Sequence, residues 1–235
     1  KSVINQNFKN LEIILIDDAS TDKTINVVKK YQKFCQIKIL NNKKNQGVSY
    51  SRNKGIKNSK SDYIIFLDSD DFLHSNSLIL FYNLIKKNKN MDMVVCNYSS
   101  QKNNNLKNTE NLFNYKTNII NNNKIIDQIK DTNVFSGVCW RYIYSRKFLI
   151  KNKILFNNNL EINEDLLFVY KSLILCKKYL ISKNFLYHYN LNSKSLINNN
   201  LYNFKKNYSV NFFNLIIETV KIYTNLKLNL AEKKL

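Results

Sequence analysis

The segment FLDSDDFL (66–73) sets Asp68, Asp70 and Asp71 at the end of an apolar run. Alternate residues of an extended backbone face the same way, so Asp68 and Asp70 can address one ligand together while Ser69 turns aside. Two hard carboxylates at a strand end suit magnesium or manganese, which keep several waters and share phosphate oxygens. The same residues also read as plain structure, with Asp70 and Asp71 capping the next helix and Asp68 ending a solvated strand. The DxD pattern alone does not separate these readings. Three other clusters accompany it: Asp17 and Asp18 in IDDASTDKT (16–24), Gly47 and Arg52 in NQGVSYSRNKGI (45–56), and Glu164 and Asp165 in NEDLLF (163–168).

These side chains need elements to hold them. EIILIDD (12–18), IKIL (37–40), DYIIFLD (62–68) and MDMVVCN (91–97) read as buried strands. Helices fall between them. Ser20, Thr21 and Asp22 offer an N-cap to a helix carrying Ile25, Val28, Tyr31 and Phe34. A short helix through Tyr50–Ile56 follows the turn at Gly47, and another crosses Leu78–Ile85. This alternation predicts a mainly parallel sheet flanked by helices, with ligands beyond the carboxyl ends of the strands, where Asp17, Asp18, Asp68 and Asp70 fall. After Asn97 the rhythm breaks. A polar, asparagine-rich loop (99–123) precedes a helix at 124–130, the aromatic segment SGVCWRYIYSRKFL (136–149), a helix at 164–176, a strand near 179–189 and an amphipathic tail helix over 201–234.

Composition sets outer bounds. The 235 residues, 44% hydrophobic and 23% charged, suffice for one large domain or for one domain with an appendage. No window has the roughly 18 apolar residues of a membrane span, and no signal segment opens the chain, so a soluble protein on the cytoplasmic side is expected. Cys35, Cys96, Cys139 and Cys176 form no CxxC pair and predict reduced, mostly buried thiols rather than a zinc site. The formal charge of +20 comes from 34 lysines and only three arginines, Arg52, Arg141 and Arg146, in a chain rich in Asn and Ile and without proline. So global a bias reads as compositional, and it suits an anionic membrane surface or a phosphate-bearing ligand better than it argues for nucleic acid.

In order and approximate spacing the four clusters resemble the family 2 glycosyltransferases, inverting nucleotide-sugar enzymes of the GT-A fold. The family commonly shows a VDDGSTD-like segment, an N-x-G-x-x-x-A-R-N-like segment, a DxD and an ED pair. Ala19 stands here for the usual glycine and Ser51 for the usual alanine. The resemblance covers roughly residues 1–200. It implies an α/β GT-A domain with a nucleotide-sugar-binding half at 1–98 and an acceptor-binding, catalytic half at 99–200, followed by a C-terminal amphipathic helix at 201–235.

Residue by residue, the resemblance implies that Asp18 or Asp17 bonds the nucleotide base or ribose and that Arg52 lies near base and diphosphate. Gly47 would permit the turn into the Arg52 helix, Asp68 would approach ribose and metal, and Asp70 would be the main ligand of Mn2+ or Mg2+. Asp165 would be the catalytic base, with Glu164 as the weaker candidate. A single carboxylate base with direct attack at the anomeric carbon inverts its configuration. GVCWRYIYSRKFL resembles an acceptor-side W-x-K-L-Y-R-like stretch. Trp140 there is either a sugar-stacking face or a core aromatic, with Arg141 beside it. YHYNLNSKS (187–195) resembles Y-x-Y-R-x-x-x-x-S with Asn190 in the arginine's place, and its His188 faces metal or diphosphate or is structural.

The family normally opens with an apolar strand ahead of SVINQ (2–6), so the expectation is a GT-A domain without its first strand, its neighbours left with unpaired edges. The function implied is that of a hexosyltransferase moving a sugar, most often from a UDP-sugar, to a glycan or lipid-linked acceptor in cell-surface polysaccharide synthesis, with contact to the inner membrane surface. A non-catalytic remnant of the same fold and a basic nucleic-acid-binding protein are the alternatives, although no nucleic-acid partner is expected.

Overall fold

The computed structural model describes residues 1–33, 35–102, 105–107, 118–121 and 137–190. The helix expected at 124–130, the tail helix and most of the polar loop lie outside the described residues.

The first unit is β1 (Ile13–Asp17), α1 (Thr24–Tyr31) and β2 (Ile37–Asn41). Lys23, rather than Ser20, Thr21 or Asp22, holds the N-cap position and makes no side-chain cap bond, while the Asp22 carboxylate just before it accepts from the Thr24 N–H at 2.9 Å. β1 and β2 pair in parallel, from Ile13 opposite Ile37 to Asp17 opposite Asn41. α2 (Val48–Asn58) begins at Gly47, whose φ of +85° lies where a Cβ is strained. It leads to β3 (Tyr63–Ile65), the short β4 (Phe72–Leu73), α3 (Ser77–Lys87) and β5 (Met93–Lys102). Next come β6 (Asn105–Lys107) and β7 (Asn118–Asn121). A 3-10 turn at Cys139–Arg141 leads into β8 (Tyr142–Ser145), α4 (Arg146–Lys151), α5 (Glu164–Leu175) and β9 (Lys178–Asn190).

The α/β class holds, while the larger sheet is mixed rather than mainly parallel. Its order is β3-β8-β5-β9-β4, with β6 beside β5 and β7 beside β9. Only β5 and β9 run parallel; β8 enters antiparallel between β3 and β5, and β4 pairs antiparallel with the far end of β9. Among the described residues β1 pairs with β2 alone and β3 with β8 alone.

Period-two alternation gives this sheet two apolar faces. Met93 and Val95 join Tyr144, Ile181, Phe156 and Phe168 on one side. Val94 and Cys96 join Ile143, Leu180, Phe81 and Trp140 on the other. Phe156 stacks on Phe168 at 3.9 Å, and Phe66 meets both rings edge-on at 5.3 and 5.7 Å. That aromatic knot anchors the backbone two residues before Asp68. All four cysteines are free thiols, three buried and Cys35 half-buried.

Candidate active site

Arg52 connects the two ends of the site. Its position on α2 lets the guanidinium reach the Asp68 carboxylate at 2.9 Å, Glu164 at 3.3 Å and Asp165 in a short contact, with only 12% of the side chain exposed. Asn53 fastens the same helix to the segment before α5, donating to the Phe156 carbonyl at 2.9 Å and accepting from its N–H at 2.8 Å. Burial would lower the Arg52 pKa, but Asp165 and Asp68 outweigh it and hold the guanidinium above its usual range. The Cys139 thiol beside it is pushed well up by burial, so it stays neutral near pH 7.

One cation cannot fully compensate three partly buried carboxylates. Burial, then the charge of Asp165, push Glu164 up to about 7 against the pull of Arg52. Asp165 is raised by burial and held back by Arg52 and the Cys139 N–H, which donates to its second oxygen at 3.2 Å. Both oxygens are thus oriented. Asn163, at φ 63°, turns the chain into α5 so that Glu164 and Asp165 stand in its first turn.

On the donor side the expected roles change. The Asp18 carboxylate, expected to meet base or ribose, accepts from the Gln46 and Gly47 N–H groups and from Asn42 Nδ2, each at 2.8 Å. Those donors outweigh burial and lower its pKa. Asp18 therefore ties the Gly47 turn to β1, and through α2 it sets the reach of Arg52. The buried Asp17 accepts from the Ser20 N–H at 3.3 Å. Arg52 itself is turned to carboxylates rather than toward open space. Ala19 sits at φ 61°, the left-handed region that explains the family's preference for glycine there.

The DSDD turn closes through the Asp71 N–H on the Asp68 carbonyl at 3.2 Å. Asp70 is exposed and Asp71 is buried. Asp71 accepts from Tyr187 Oη at 2.6 Å and from the Asn190 N–H at 2.7 Å. Burial raises its pKa to about 6 against those two bonds, with Asp70 and Asp68 adding to the rise. Among the described residues no three His, Cys, Asp or Glu side chains converge as a self-sufficient metal cage. An exposed carboxylate beside a second one suits a magnesium or manganese ion, which takes only one or two protein carboxylates and completes its shell with water and phosphate.

The three residues expected at the acceptor are all buried. Trp140, Arg141 and His188 are 5%, 3% and 2% exposed, so none offers a face to an acceptor in this arrangement. Trp140 stacks on Tyr187 at 4.3 Å and on Tyr189 at 5.4 Å, which settles its two readings in favour of the core. Arg141 donates through Nε to the Cys96 carbonyl at 3.2 Å and lies over the Tyr98 ring. His188 stacks on Phe72 and meets Ser99 Oγ at 2.6 Å, and the same hydroxyl meets His74 at 2.7 Å. Burial lowers both histidine pKa values, and each also faces the other.

The glycosyl transferase family 2 model matches residues 1–152. The chain belongs to glycosyl transferase family 2. Among curated members of the family it is 47% identical over 102 residues to the poly(ribitol-phosphate) beta-N-acetylglucosaminyltransferase TarP of Staphylococcus aureus. That match covers 41% of this chain and 30% of TarP. It is 42% identical over 95 residues to the cholesterol galactosyltransferase of Borreliella burgdorferi, covering 40% of this chain and 26% of that protein. S. aureus TarS 1–349 in complex with UDP superposes with a TM-score of 0.69 at 21% identity, over 82% of this chain and 55% of that one. The complex of the same fragment with UDP-GlcNAc gives 0.69 at 20% identity over 83% and 54%. At those identities the structural likeness shows the fold, GT-A. The chain spans about half of the TarS fragment, and its matches span a third or less of these curated relatives.

Family membership explains why four separated motifs meet, but the sequence reading gave no site role to three participants. Asn42 bridges Asp18 and Ser51, the Cys139 N–H orients Asp165, and Tyr187 braces the DSDD turn. Tyr187 alone had a signal, its place in the YHY alternation on the face of β9 opposite His188.

Proposed function

We propose that this family 2 chain carries the donor-binding and catalytic parts of an inverting glycosyltransferase. It would take a sugar from a nucleoside-diphosphate donor, of the UDP-sugar class, to a hydroxyl of a glycan or lipid-linked acceptor in cell-surface polysaccharide synthesis. The observation that carries this reading is the Arg52 bridge, which holds Asp68 of the donor turn and the Glu164–Asp165 pair in one ion cluster. The names of the relatives support it, since TarP and the Bacillus spizizenii beta-glucosyltransferase both act on poly(ribitol-phosphate), and TarS has been captured with UDP and UDP-GlcNAc.

On this reading Asp165 takes the proton of the attacking hydroxyl. Burial helps by lifting its basicity toward the working pH, while Arg52 and the Cys139 N–H keep it ionised and aimed. Glu164, near half-protonated at neutral pH, limits the negative charge beside the base. Asp70, with Asp68, would hold a magnesium or manganese ion, which supplies neutralisation of the diphosphate leaving group when bound. The reading assigns the reaction to the cytoplasmic side, at the membrane surface where lipid-linked acceptors sit. Among the described residues no helix is long and apolar enough to cross a membrane.

Manganese-dependent release of UDP from a panel of UDP-sugars tests the proposal. Turnover with at least one donor, lost by a factor of about a hundred or more in Asp70→Ala, is the expected outcome. Absence of turnover and of metal-dependent nucleotide binding would overturn it.

A further inference from the structure

We propose that Tyr187 is a positioning residue for the donor turn, fixing through its hydroxyl the direction in which Asp68 and Asp70 project. The inference rests on the proposed function, and it concerns a residue that touches neither donor nor acceptor in that scheme.

Four contacts hang the DSDD turn from the end of β9. Tyr187 Oη accepts from the Asp68 N–H at 3.1 Å and donates to Asp71 Oδ2 at 2.6 Å. The Asn190 N–H donates to Asp71 Oδ1 at 2.7 Å, and Asn190 Nδ2 to the Asp70 carbonyl at 3.4 Å. The β4–β9 ladder, with Leu73 opposite Tyr187, continues from there. Asp70 makes no side-chain hydrogen bond to another described residue, so backbone orientation alone sets its aim. Asp68 is pulled toward Arg52 by its carboxylate and toward Tyr187 by its N–H, and the two restraints together define its rotation.

The hydroxyl can act as a fixed post because the ring cannot move. Tyr187 is fully buried, lies flat on Trp140 at 4.3 Å with planes 16° apart, and occupies a ladder position on β9. This gives Trp140 a role other than acceptor contact: it clamps the ring whose oxygen braces the donor turn. It also distinguishes Asp71 from its neighbours. Asp71 is the buried foot of the turn, whereas Asp70 is the exposed arm.

Tyr187→Phe removes the post while keeping the ring, the stack and the ladder. Mn2+ uptake in the presence of UDP, followed by loss of the free-ion paramagnetic resonance signal, reads the turn without requiring turnover. The half-saturating Mn2+ concentration is expected to rise about ten- to a hundredfold, as for other residues that orient metal ligands. Near-saturating Mn2+ should then recover most of the turnover. Tyr189→Phe, the same deletion from the other tyrosine stacked on Trp140, should leave the wild-type midpoint. A Tyr187→Phe protein that melts lower yet binds Mn2+ with the wild-type midpoint would overturn the inference and leave a structural tyrosine. Should Tyr187→Phe fail to fold, Asp71→Ala removes the same contact from its other end, and an unchanged midpoint there overturns it too. Wild-type protein that takes up no Mn2+ with UDP would overturn the proposed function itself, and the inference with it.

Discussion

No apolar side chain described in β1, α1 or β2 is fully buried, whereas α5 alone buries Leu167, Phe168, Val169 and Leu173. The first unit is stitched on by polar contacts instead. The Glu12 carboxylate accepts from the Lys60 N–H at 2.8 Å and the Ser61 N–H at 3.2 Å, and Asp18 gathers the three donors of the Gly47 turn. Around α5, aromatic packing fixes the backbone and leaves the acids to carry charge. The contrast teaches that an acidic residue in a motif can serve as a fastener in one half and a chemical group in the other.

Parallel truncations give the largest test of this contrast. Phe168→Ala should cost about 3–5 kcal/mol in denaturant melts. Val27→Ala, on the exposed side of α1, should stay within about 0.5 kcal/mol. Equal losses would erase the distinction.

Carboxylate substitutions come next, with opposite signs expected. Asp18 has its pKa lowered on folding, so its contribution is present above the unfolded value of 3.8 and is lost as pH falls through the folded value. Asp18→Ala should therefore destabilise at pH 7, by about 2 kcal/mol for lost charge-assisted bonds. Glu164 is raised from 4.5 to about 7, so the stability it contributes is full below pH 4.5 and is lost as pH rises through 7. Glu164→Gln should thus gain on wild type between pH 5 and 8, by about 2–3 kcal/mol, in thermal melts at both pH values. A Glu164→Gln variant that loses ground over that range would contradict the charge balance drawn around Arg52. Smallest of all, Ala19→Gly should stabilise by about 0.5–1 kcal/mol through relief of the left-handed backbone, and a loss would show that Ala19 is not strained.

Much of this architecture is legible locally. Apolar runs ending in acids, the Gly47 turn and the ED pair opening a helix each follow from a few neighbouring residues, and the strands and helices expected before Asn97 are found near their places, whereas the stretch read as a polar loop holds the end of β5 together with β6 and β7. Strand direction does not follow so locally. The antiparallel entry of β8 is set by its pairing with β3 and β5, which lie far from it in the chain. Trp140 was equally plausible on a sugar or in the core, because only the β9 register shows Tyr187 and Tyr189 beneath it. The ion cluster of Arg52 is not legible either, because its carboxylate partners lie up to 113 residues away in sequence. Charge partners at that range leave no periodicity to read.

The central claim is that the acid at the head of α5 is the base, and Asp165→Asn tests it most directly. Sugar transfer from the preferred UDP-sugar, measured beside Mn2+-dependent UDP binding, should fall by about a thousandfold with binding unchanged, because the isosteric amide cannot take a proton. Transfer within about tenfold of wild type would contradict the assignment and move the base elsewhere in the site.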